Sequence, residues 1–128
     1  MDTVSILLPA HNEGTHIYAN IEKVRNTACS LLEAEWKGRI ASCNIIVVDD
    51  GSTDTTAEEI TRAEKDFPNV IALVIDRNMG KGAALREAFK QSTGSLVFFI
   101  DADLDIGPEH MADLYEGLAR SSVDGVLG

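Results

Sequence analysis

Three acidic residues at alternate positions form the part of the sequence best suited to chemistry. Asp101, Asp103 and Asp105 come directly after the apolar run Leu96 to Ile100. Carboxylates this close repel one another unless a cation bridges them. Oxygen ligands of this kind suit Mg²⁺ or Mn²⁺, which complete their shell with water and substrate phosphates. The alternative is a solvated acidic turn, in which Asp105 caps the helix expected after Pro108.

A second polar cluster extends from Asp49 to Asp54 and also follows an apolar run. At the end of a strand, the Asp50 carboxylate could accept a hydrogen bond from a nucleobase N–H. Ser52, Thr53 and Asp54 are typical N-cap residues, and we expect them to begin the helix that follows. The alternative is that the whole segment is turn and cap chemistry.

Lys81 lies between Gly80 and Gly82 at the expected start of a helix. Backbone N–H groups and the helix dipole favour an anion there, so Lys81 could meet a diphosphate. The segment is not a Walker P-loop, because Ala83 stands where that motif has the Ser or Thr that binds Mg²⁺. The glycines could also serve only a tight turn.

The histidines and the lone aromatic residues indicate no catalytic group. His11, His16 and His110 are scattered and have no Ser or Cys partner at recognisable spacing, so we expect surface or capping roles for them. Tyr18 and Trp36 are expected in the core or at its rim. No nucleophilic triad is indicated.

Short apolar runs alternate with amphipathic stretches along the chain. The runs are rich in β-branched and aromatic residues and too short for helices, which predicts buried strands at Val4 to Leu8, Ile45 to Val48, Val70 to Ile75, Leu96 to Ile100 and Val123 to Leu127. Apolar residues that recur at helical spacing between them predict helices around Ile17 to Leu31, Ala57 to Ala63, Ala84 to Phe89 and Met111 to Leu118. Strands and helices that alternate in this way require parallel pairing. We therefore predict an α/β, Rossmann-like fold with a mostly parallel sheet and helices on both faces.

In such a sheet, ligands bind beyond the carboxyl ends of the strands, where the strand order reverses. Polar segments follow each of the first four predicted strands, and they begin at Pro9, Asp49, Asp76 and Asp101. The sequence therefore predicts that the candidate groups meet at one edge of the sheet.

Composition limits the classes of partner. The chain has 128 residues, 45% of them hydrophobic, which is typical of one soluble domain. The net charge of -10 argues against a nucleic-acid partner, and a phosphate ligand would need a cation or a local lysine beside it. Cys29 and Cys43 are expected as separate thiols in a reducing, cytoplasmic compartment. No apolar stretch approaches about 18 residues, so no membrane span is expected.

Four segments, in order, resemble the successive motifs of glycosyltransferase family 2. They extend from Ser5 to Glu13, from Ile46 to Asp54, from Asn78 to Ala84 and from Asp101 to Leu104. The last two are most similar to the dolichyl-phosphate mannosyltransferase-like branch. The resemblance implies the nucleotide-binding half of a GT-A type fold and an inverting sugar transfer. It also implies a nucleotide-sugar donor of the GDP-mannose or UDP-glucose type, Mg²⁺ or Mn²⁺, and an acceptor such as a polyprenyl phosphate.

The resemblance also implies a role for each motif. Residues expected around the base and ribose are Pro9, Ala10, Asn12, Glu13 and Asp50, and those expected near the ribose and diphosphate are Gly80 and Lys81. Asp101 and Ala102 would face the donor, and Asp101 and Asp103 would be catalytic. The metal ligands would be Asp101, Asp103 and Asp105. Asp105 departs from relatives that often carry Gln there, so its extra charge could alter the choice of metal.

Relatives in this family continue well beyond the fifth predicted strand. We therefore expect residues 1–128 to be the donor-binding part of a glycosyltransferase domain, with any membrane contact made through the acceptor or C-terminal segments. The alternative is a nucleotide-sugar binding module without catalysis. Apolar surface on the last strand could also drive association into a homo-oligomer. A signalling receiver domain is disfavoured, because its lysine follows the fifth strand and Lys81 follows the third.

Overall fold

The computed structural model describes residues 2–100, in which four strands alternate with three helices. The strands are β1 (Asp2–Ala10), β2 (Ile40–Asp50), β3 (Val70–Ile75) and β4 (Leu96–Phe99), and the helices are α1 (Ile17–Glu33), α2 (Thr56–Asp66) and α3 (Lys81–Gln91). The predicted alternation is confirmed over this range. The predicted fifth strand, Val123 to Leu127, and the helix expected after Pro108 lie outside the described residues.

The four strands form one parallel sheet in the order β3-β2-β1-β4. Leu7 in β1 is paired with Ile46 in β2 on one side and with Phe99 in β4 on the other. The strand order therefore reverses beside β1, which is the place where a sheet of this kind leaves a crevice at its carboxyl edge. The predicted Rossmann-like, mostly parallel architecture is confirmed.

The two faces of the sheet are covered by different helices. Ile6 in β1 is fully buried in the larger core cluster, which includes Ile21 of α1 and Ile60 of α2. Leu7, the next residue, belongs to the other cluster, which includes Ala84 and Ala88 of α3. Neighbouring residues of a strand point to opposite faces, so each strand supplies both clusters. Helices cover both faces, as predicted.

The lone aromatic residues take the places expected of them. Trp36 is buried and packs against Phe98 of β4, with ring centroids 6.3 Å apart. Tyr18 lies at the rim, where its ring packs against Phe67 at 5.6 Å and the Arg62 guanidinium lies 3.6 Å from its centroid. Trp36 therefore belongs to the core and Tyr18 to its rim.

The second strand is longer than predicted. It extends over Ile40–Asp50, whereas the apolar run indicated only Ile45 to Val48. Polar Ser42 and Asn44 interrupt the apolar pattern in the added part, but both are paired with β1. Cys29 and Cys43 are free thiols, as expected. Among residues 2–100, no helix is both long and apolar enough to cross a membrane.

Candidate functional site

A small cavity of about 110 Å³ opens at the carboxyl edge of the sheet. It is lined by the end of β1, the end of β2 and the start of α3, through Pro9, Ala10, His11, Asp50 and Lys81. Four of these five residues were predicted as donor-binding residues from the sequence. Ligand pockets usually measure roughly 300–1000 Å³, so this cavity alone is small for a ligand site.

The described chain reaches this edge at Ile100, the residue before the acidic motif in sequence. The Ile100 N–H donates to the Leu7 carbonyl at 3.0 Å, which holds the end of β4 beside β1. The next residues in sequence, Asp101, Ala102, Asp103 and Asp105, lie outside the described residues. Within residues 2–100, no group of three or more His, Cys, Asp or Glu side chains could hold a metal. The metal-ligand predictions therefore stay predictions.

The Asp50 carboxylate is buried, with 5% of the residue exposed, and both of its oxygens accept main-chain hydrogen bonds. The Met79 N–H donates to Oδ1 at 2.8 Å, and the Gly80 N–H donates to Oδ2 at 3.0 Å. Each carboxylate oxygen can accept a further bond, so Asp50 could still contact a ligand. Its first partners, however, belong to the loop that precedes Lys81.

His11 is exposed, as expected for a surface residue, but it also lines the cavity, which the sequence analysis did not predict. Its Nδ1 lies 2.9 Å from the Asp50 carbonyl oxygen. A carbonyl only accepts, so Nδ1 carries the proton and Nε2 is left to accept. The Asn78 amide nitrogen lies 3.3 Å from Nε2 and can donate to it. The position of His11 directly after a strand was the available signal, and spacing to a nucleophile was the wrong criterion.

Gly51 allows the end of β2 to touch the loop between β3 and α3. Its φ is +65°, in the left-handed region that favours glycine. A Cβ at this position would overlap the main-chain atoms of Arg77 and Asn78. The loop that carries Lys81 is therefore packed directly against the turn that follows Asp50.

The loops after β1 and β2 are tied together, and this corrects the prediction that Ser52 and Thr53 cap α2. The Asn12 N–H donates to Ser52 Oγ at 2.8 Å, and the Thr53 N–H donates to Asn12 Oδ1 at 2.9 Å. Asn12 itself has a φ of +53°, which Asn tolerates better than most residues. Helix α2 begins at Thr56, so Ser52 and Thr53 lie too early in the chain to reach its first turn.

Asp54 is the one predicted cap that contacts the start of α2. Its Oδ1 accepts from the Thr56 N–H at 2.9 Å and from the Thr56 hydroxyl, and its Oδ2 accepts from the Gly14 N–H at 3.0 Å. The Thr56 hydroxyl bond, followed by the main-chain bonds, lowers the pKa of the Asp54 carboxyl. The Glu13 N–H donates to Thr56 Oγ1 at 2.9 Å, so Glu13 is held by its main chain beside the same loop.

The edge therefore offers an acceptor, donors and a cation within one small volume. Asp50 and the Asn78–Gly80 loop provide the polar groups, and Lys81 begins α3, where main-chain N–H groups and the helix dipole favour an anion. An anionic group would be favoured at the Lys81 end of this edge.

Comparison with known proteins agrees with this geometry. The family model for glycosyl transferase family 2 matches residues 5–128. The undecaprenyl-phosphate 4-deoxy-4-formamido-L-arabinose transferase of Pseudomonas aeruginosa is 39% identical over 121 residues, which cover 94% of this chain and 33% of that protein. The Yersinia pestis transferase of the same name is 37% identical over 112 residues, which cover 87% of this chain and 32% of that protein. The chain thus spans about a third of the length of these curated relatives.

Solved structures share the fold. A mannosyltransferase from Pyrobaculum calidifontis, in complex with GDP-Man and Mn²⁺, superposes with a TM-score of 0.75 at 24% identity, covering 95% of this chain and 34% of that one. Glucosyl-3-phosphoglycerate synthase from Mycobacterium tuberculosis, in complex with UDP, superposes with a TM-score of 0.62 at 25% identity. The match covers 94% of this chain and 40% of that one. Both likenesses extend over nearly all of the present chain.

Proposed function

Because the chain belongs to glycosyltransferase family 2, we propose that it forms the donor-binding part of an enzyme that transfers a sugar from a nucleotide-sugar. The observation that carries the proposal is the cavity at the switch point of the sheet, which Asp50 and Lys81 both line. Family membership rests on the sequence match, and the role of the cavity rests on its position and chemistry.

The donor would lie along the carboxyl edge, with its two halves at different ends. Pro9, Ala10 and Asn12 would adjoin the base and ribose, because the β1 end forms the apolar wall of the cavity. Gly80 and Lys81 would adjoin the diphosphate, whose charge suits a lysine at a helix start. Glu13 lies at the same edge, and among the described residues its carboxylate has no hydrogen bond, so it could accept from a ribose hydroxyl.

A divalent cation is part of the proposal. Asp101, Asp103 and Asp105 would hold Mg²⁺ or Mn²⁺, since they offer only oxygen ligands and follow directly from Ile100, which is held beside β1. When bound, the metal supplies positive charge that stabilises the nucleoside diphosphate as it leaves. In a chain with a net charge of -10, such a cation would also offset the repulsion between protein and donor. This part rests on the sequence pattern, because the three acids lie outside the described residues.

A polyprenyl phosphate is the proposed acceptor. The relatives at 39% and 37% identity are named as undecaprenyl-phosphate transferases, and this name supports the same acceptor class here. A phosphate acceptor is already ionised near neutral pH and needs no general base, whereas a hydroxyl acceptor would need one. The chain would act as part of a longer protein, on the cytoplasmic side where nucleotide-sugars are expected.

The proposal is tested by calorimetric titration of the chain with GDP and UDP, each with and without Mn²⁺. We expect one nucleotide to bind only when Mn²⁺ is present. Lys81→Met should weaken that binding about tenfold or more, because a charged hydrogen-bond donor to the diphosphate is lost. Lys90→Met is the matched control, since Lys90 lies on the same helix but is paired with Glu87 at its far end.

Two results would contradict the donor-site proposal. The first is that neither nucleotide binds the folded chain. The second is that Lys81→Met and Lys90→Met weaken nucleotide binding equally. Binding without transfer to undecaprenyl phosphate by the longer protein would favour the alternative of a binding module.

A further inference from the structure

The loop between β3 and α3 is exposed but is attached to the protein at a buried carboxylate. Residues 76–80 are all exposed. Asp50, which is buried, accepts from two successive N–H groups of this loop, those of Met79 and Gly80. The Gly80 N–H also donates within the loop, to Asn78 Oδ1 at 3.0 Å. Asp50 therefore ties the loop to another strand, 30 positions earlier in the chain than Gly80.

The two bonds lie directly before Lys81 and at the start of α3. Gly80 is the N-cap residue of α3 and provides no side-chain cap bond. Asp50 does not cap the first turn of α3, because it accepts from Met79 and Gly80, but its negative charge lies at the end of α3 that the helix dipole favours. The main-chain position of Lys81 follows from that of Gly80, to which it is bonded covalently.

Two further contacts hold the same loop to the same strand end. Gly51 touches the main chain of Arg77 and Asn78. His11 joins the strand end to the loop, because its Nδ1 lies against the Asp50 carbonyl and its Nε2 faces the Asn78 amide. The loop is thus fixed to the carboxyl ends of β1 and β2, which are the strands that form the opposite wall of the cavity.

We propose that Asp50 is a positioning residue, which sets the place of Lys81 and of the α3 N-terminus for the diphosphate of the donor. This rests on the proposed function, and it gives Asp50 a role through Lys81 that is distinct from the contact with the nucleobase expected from the sequence. The two roles differ in a measurable way. A residue that contacts the base affects only ligands that have a base, whereas a residue that acts through Lys81 affects inorganic pyrophosphate as well.

The first test measures the loop directly and needs no ligand. Amide hydrogen exchange of Met79 and Gly80 is followed by NMR in the wild-type chain and in Asp50→Asn. Protection reflects the hydrogen bond that an amide donates, and an Asn side chain has one acceptor oxygen for the two N–H groups. We therefore expect at least one of the two amides to exchange about tenfold or more faster in Asp50→Asn. Asp76→Asn is the matched control, because it removes one negative charge from the loop itself without touching either bond. Unchanged exchange of Met79 and Gly80 in Asp50→Asn would overturn the proposal.

The second test asks whether Asp50 acts through Lys81. Affinities for inorganic pyrophosphate, GDP and UDP are measured with Mn²⁺ for Asp50→Asn, Lys81→Met and the double variant. We expect Asp50→Asn to weaken pyrophosphate and the bound nucleotide by similar factors, about tenfold. In the Lys81→Met background, Asp50→Asn should weaken the affinity less than about twofold, because the lysine that Asp50 positions is absent.

The outcomes separate this proposal from the proposed function. Loss of nucleotide affinity with unchanged pyrophosphate affinity would assign Asp50 to the base and overturn the positioning role. Additive effects of Asp50→Asn and Lys81→Met would overturn it as well. If the wild-type chain binds none of the three ligands, the donor-site proposal fails, and the exchange rates of Met79 and Gly80 still decide whether Asp50 holds the loop. Unfolding of Asp50→Asn is monitored by Trp36 fluorescence, and a cooperative transition close to that of the wild-type chain shows that the variant is folded.

Discussion

A Cβ at Gly51 would overlap the main-chain nitrogen of Asn78, because the turn after β2 and the loop before α3 are in direct contact. This contact joins two segments that are separated in sequence by the whole of α2 and β3. Together with the Asn12 bonds to Ser52 and Thr53, it makes the carboxyl edge a connected set of loops. The cavity is therefore expected to depend on these loop contacts as well as on the residues that line it.

Gly51→Ala should destabilise the chain and displace the loop that carries Lys81. Both the φ of +65° and the overlap with Arg77 and Asn78 oppose a Cβ, and we expect a loss of about 2–4 kcal/mol in unfolding free energy. Gly38→Ala is the matched control, since its φ is +79° but a Cβ there would meet nothing within 4 Å. The control should lose only about 1 kcal/mol in urea unfolding. Equal losses would mean that the contact between the loops is absent.

Asn12→Ala should destabilise the chain by about 1–2 kcal/mol, through the lost acceptor for the Thr53 N–H and the cost of a left-handed alanine. Asn12→Asp keeps the acceptor oxygen and tolerates the left-handed conformation, so we expect it to lose less than half as much. The comparison is made by urea unfolding of the two variants at pH 7. A milder effect of alanine than of aspartate would contradict the hydrogen bond.

Asp54 should make stability depend on acid pH. Its pKa is lowered in the folded chain, chiefly by the Thr56 hydroxyl, so the unfolded chain binds the proton more readily. The stabilisation is complete above the unfolded pKa of about 3.9 and is lost as the pH falls through the folded value. Asp54→Asn should therefore be less stable than wild type at pH 7, with a gap in urea midpoint that narrows towards pH 2. A gap that stays constant between pH 7 and pH 2 would contradict this role of Asp54.

Cys43 should be unreactive in the folded chain. Burial, followed by the influence of Cys29, raises the pKa of the Cys43 thiol to about 12. In a Cys29→Ser background, alkylation by iodoacetamide at pH 8 should be more than about a hundredfold slower in the folded chain than in urea. Because the pKa is raised on folding, stability should also fall as the pH rises from about 8.5 towards 12. Equal labelling rates in the folded and unfolded chain would show that Cys43 is accessible.

The order of the elements could be predicted from the sequence because buried strands and amphipathic helices leave different periodicities. Val70–Ile75 has the predicted bounds, since every residue in it is apolar. Ile40–Asp50 is longer than predicted, because its first part alternates polar and apolar residues and pairs with β1 through main-chain bonds. Hydropathy indicates burial, but main-chain pairing does not need an apolar side chain.

The members of the cavity could be predicted more readily than their partners. Pro9, Ala10, Asp50 and Lys81 lie together because each lies at the end of a strand or begins a helix at the same edge. The bonds from Met79 and Gly80 to Asp50 involve main-chain N–H groups, which have no signature in the sequence. His11 was missed for a related reason, since its partners are a main-chain carbonyl and an amide brought close only by the fold.

The most direct test of the central claim is to locate the bound metal by NMR. Mn²⁺ broadens the signals of nearby amides, so an isotope-labelled chain is titrated with Mn²⁺ in the presence of GDP or UDP. We predict loss of the Ala10, His11 and Lys81 signals at the carboxyl edge, while Thr3, Ser42 and Gly94 around the cavity at the opposite edge keep theirs. The broadening should require nucleotide and should disappear in Asp103→Asn. Broadening centred on Thr3 and Gly94, or unchanged in Asp103→Asn, would contradict a metal-dependent donor site at the carboxyl edge.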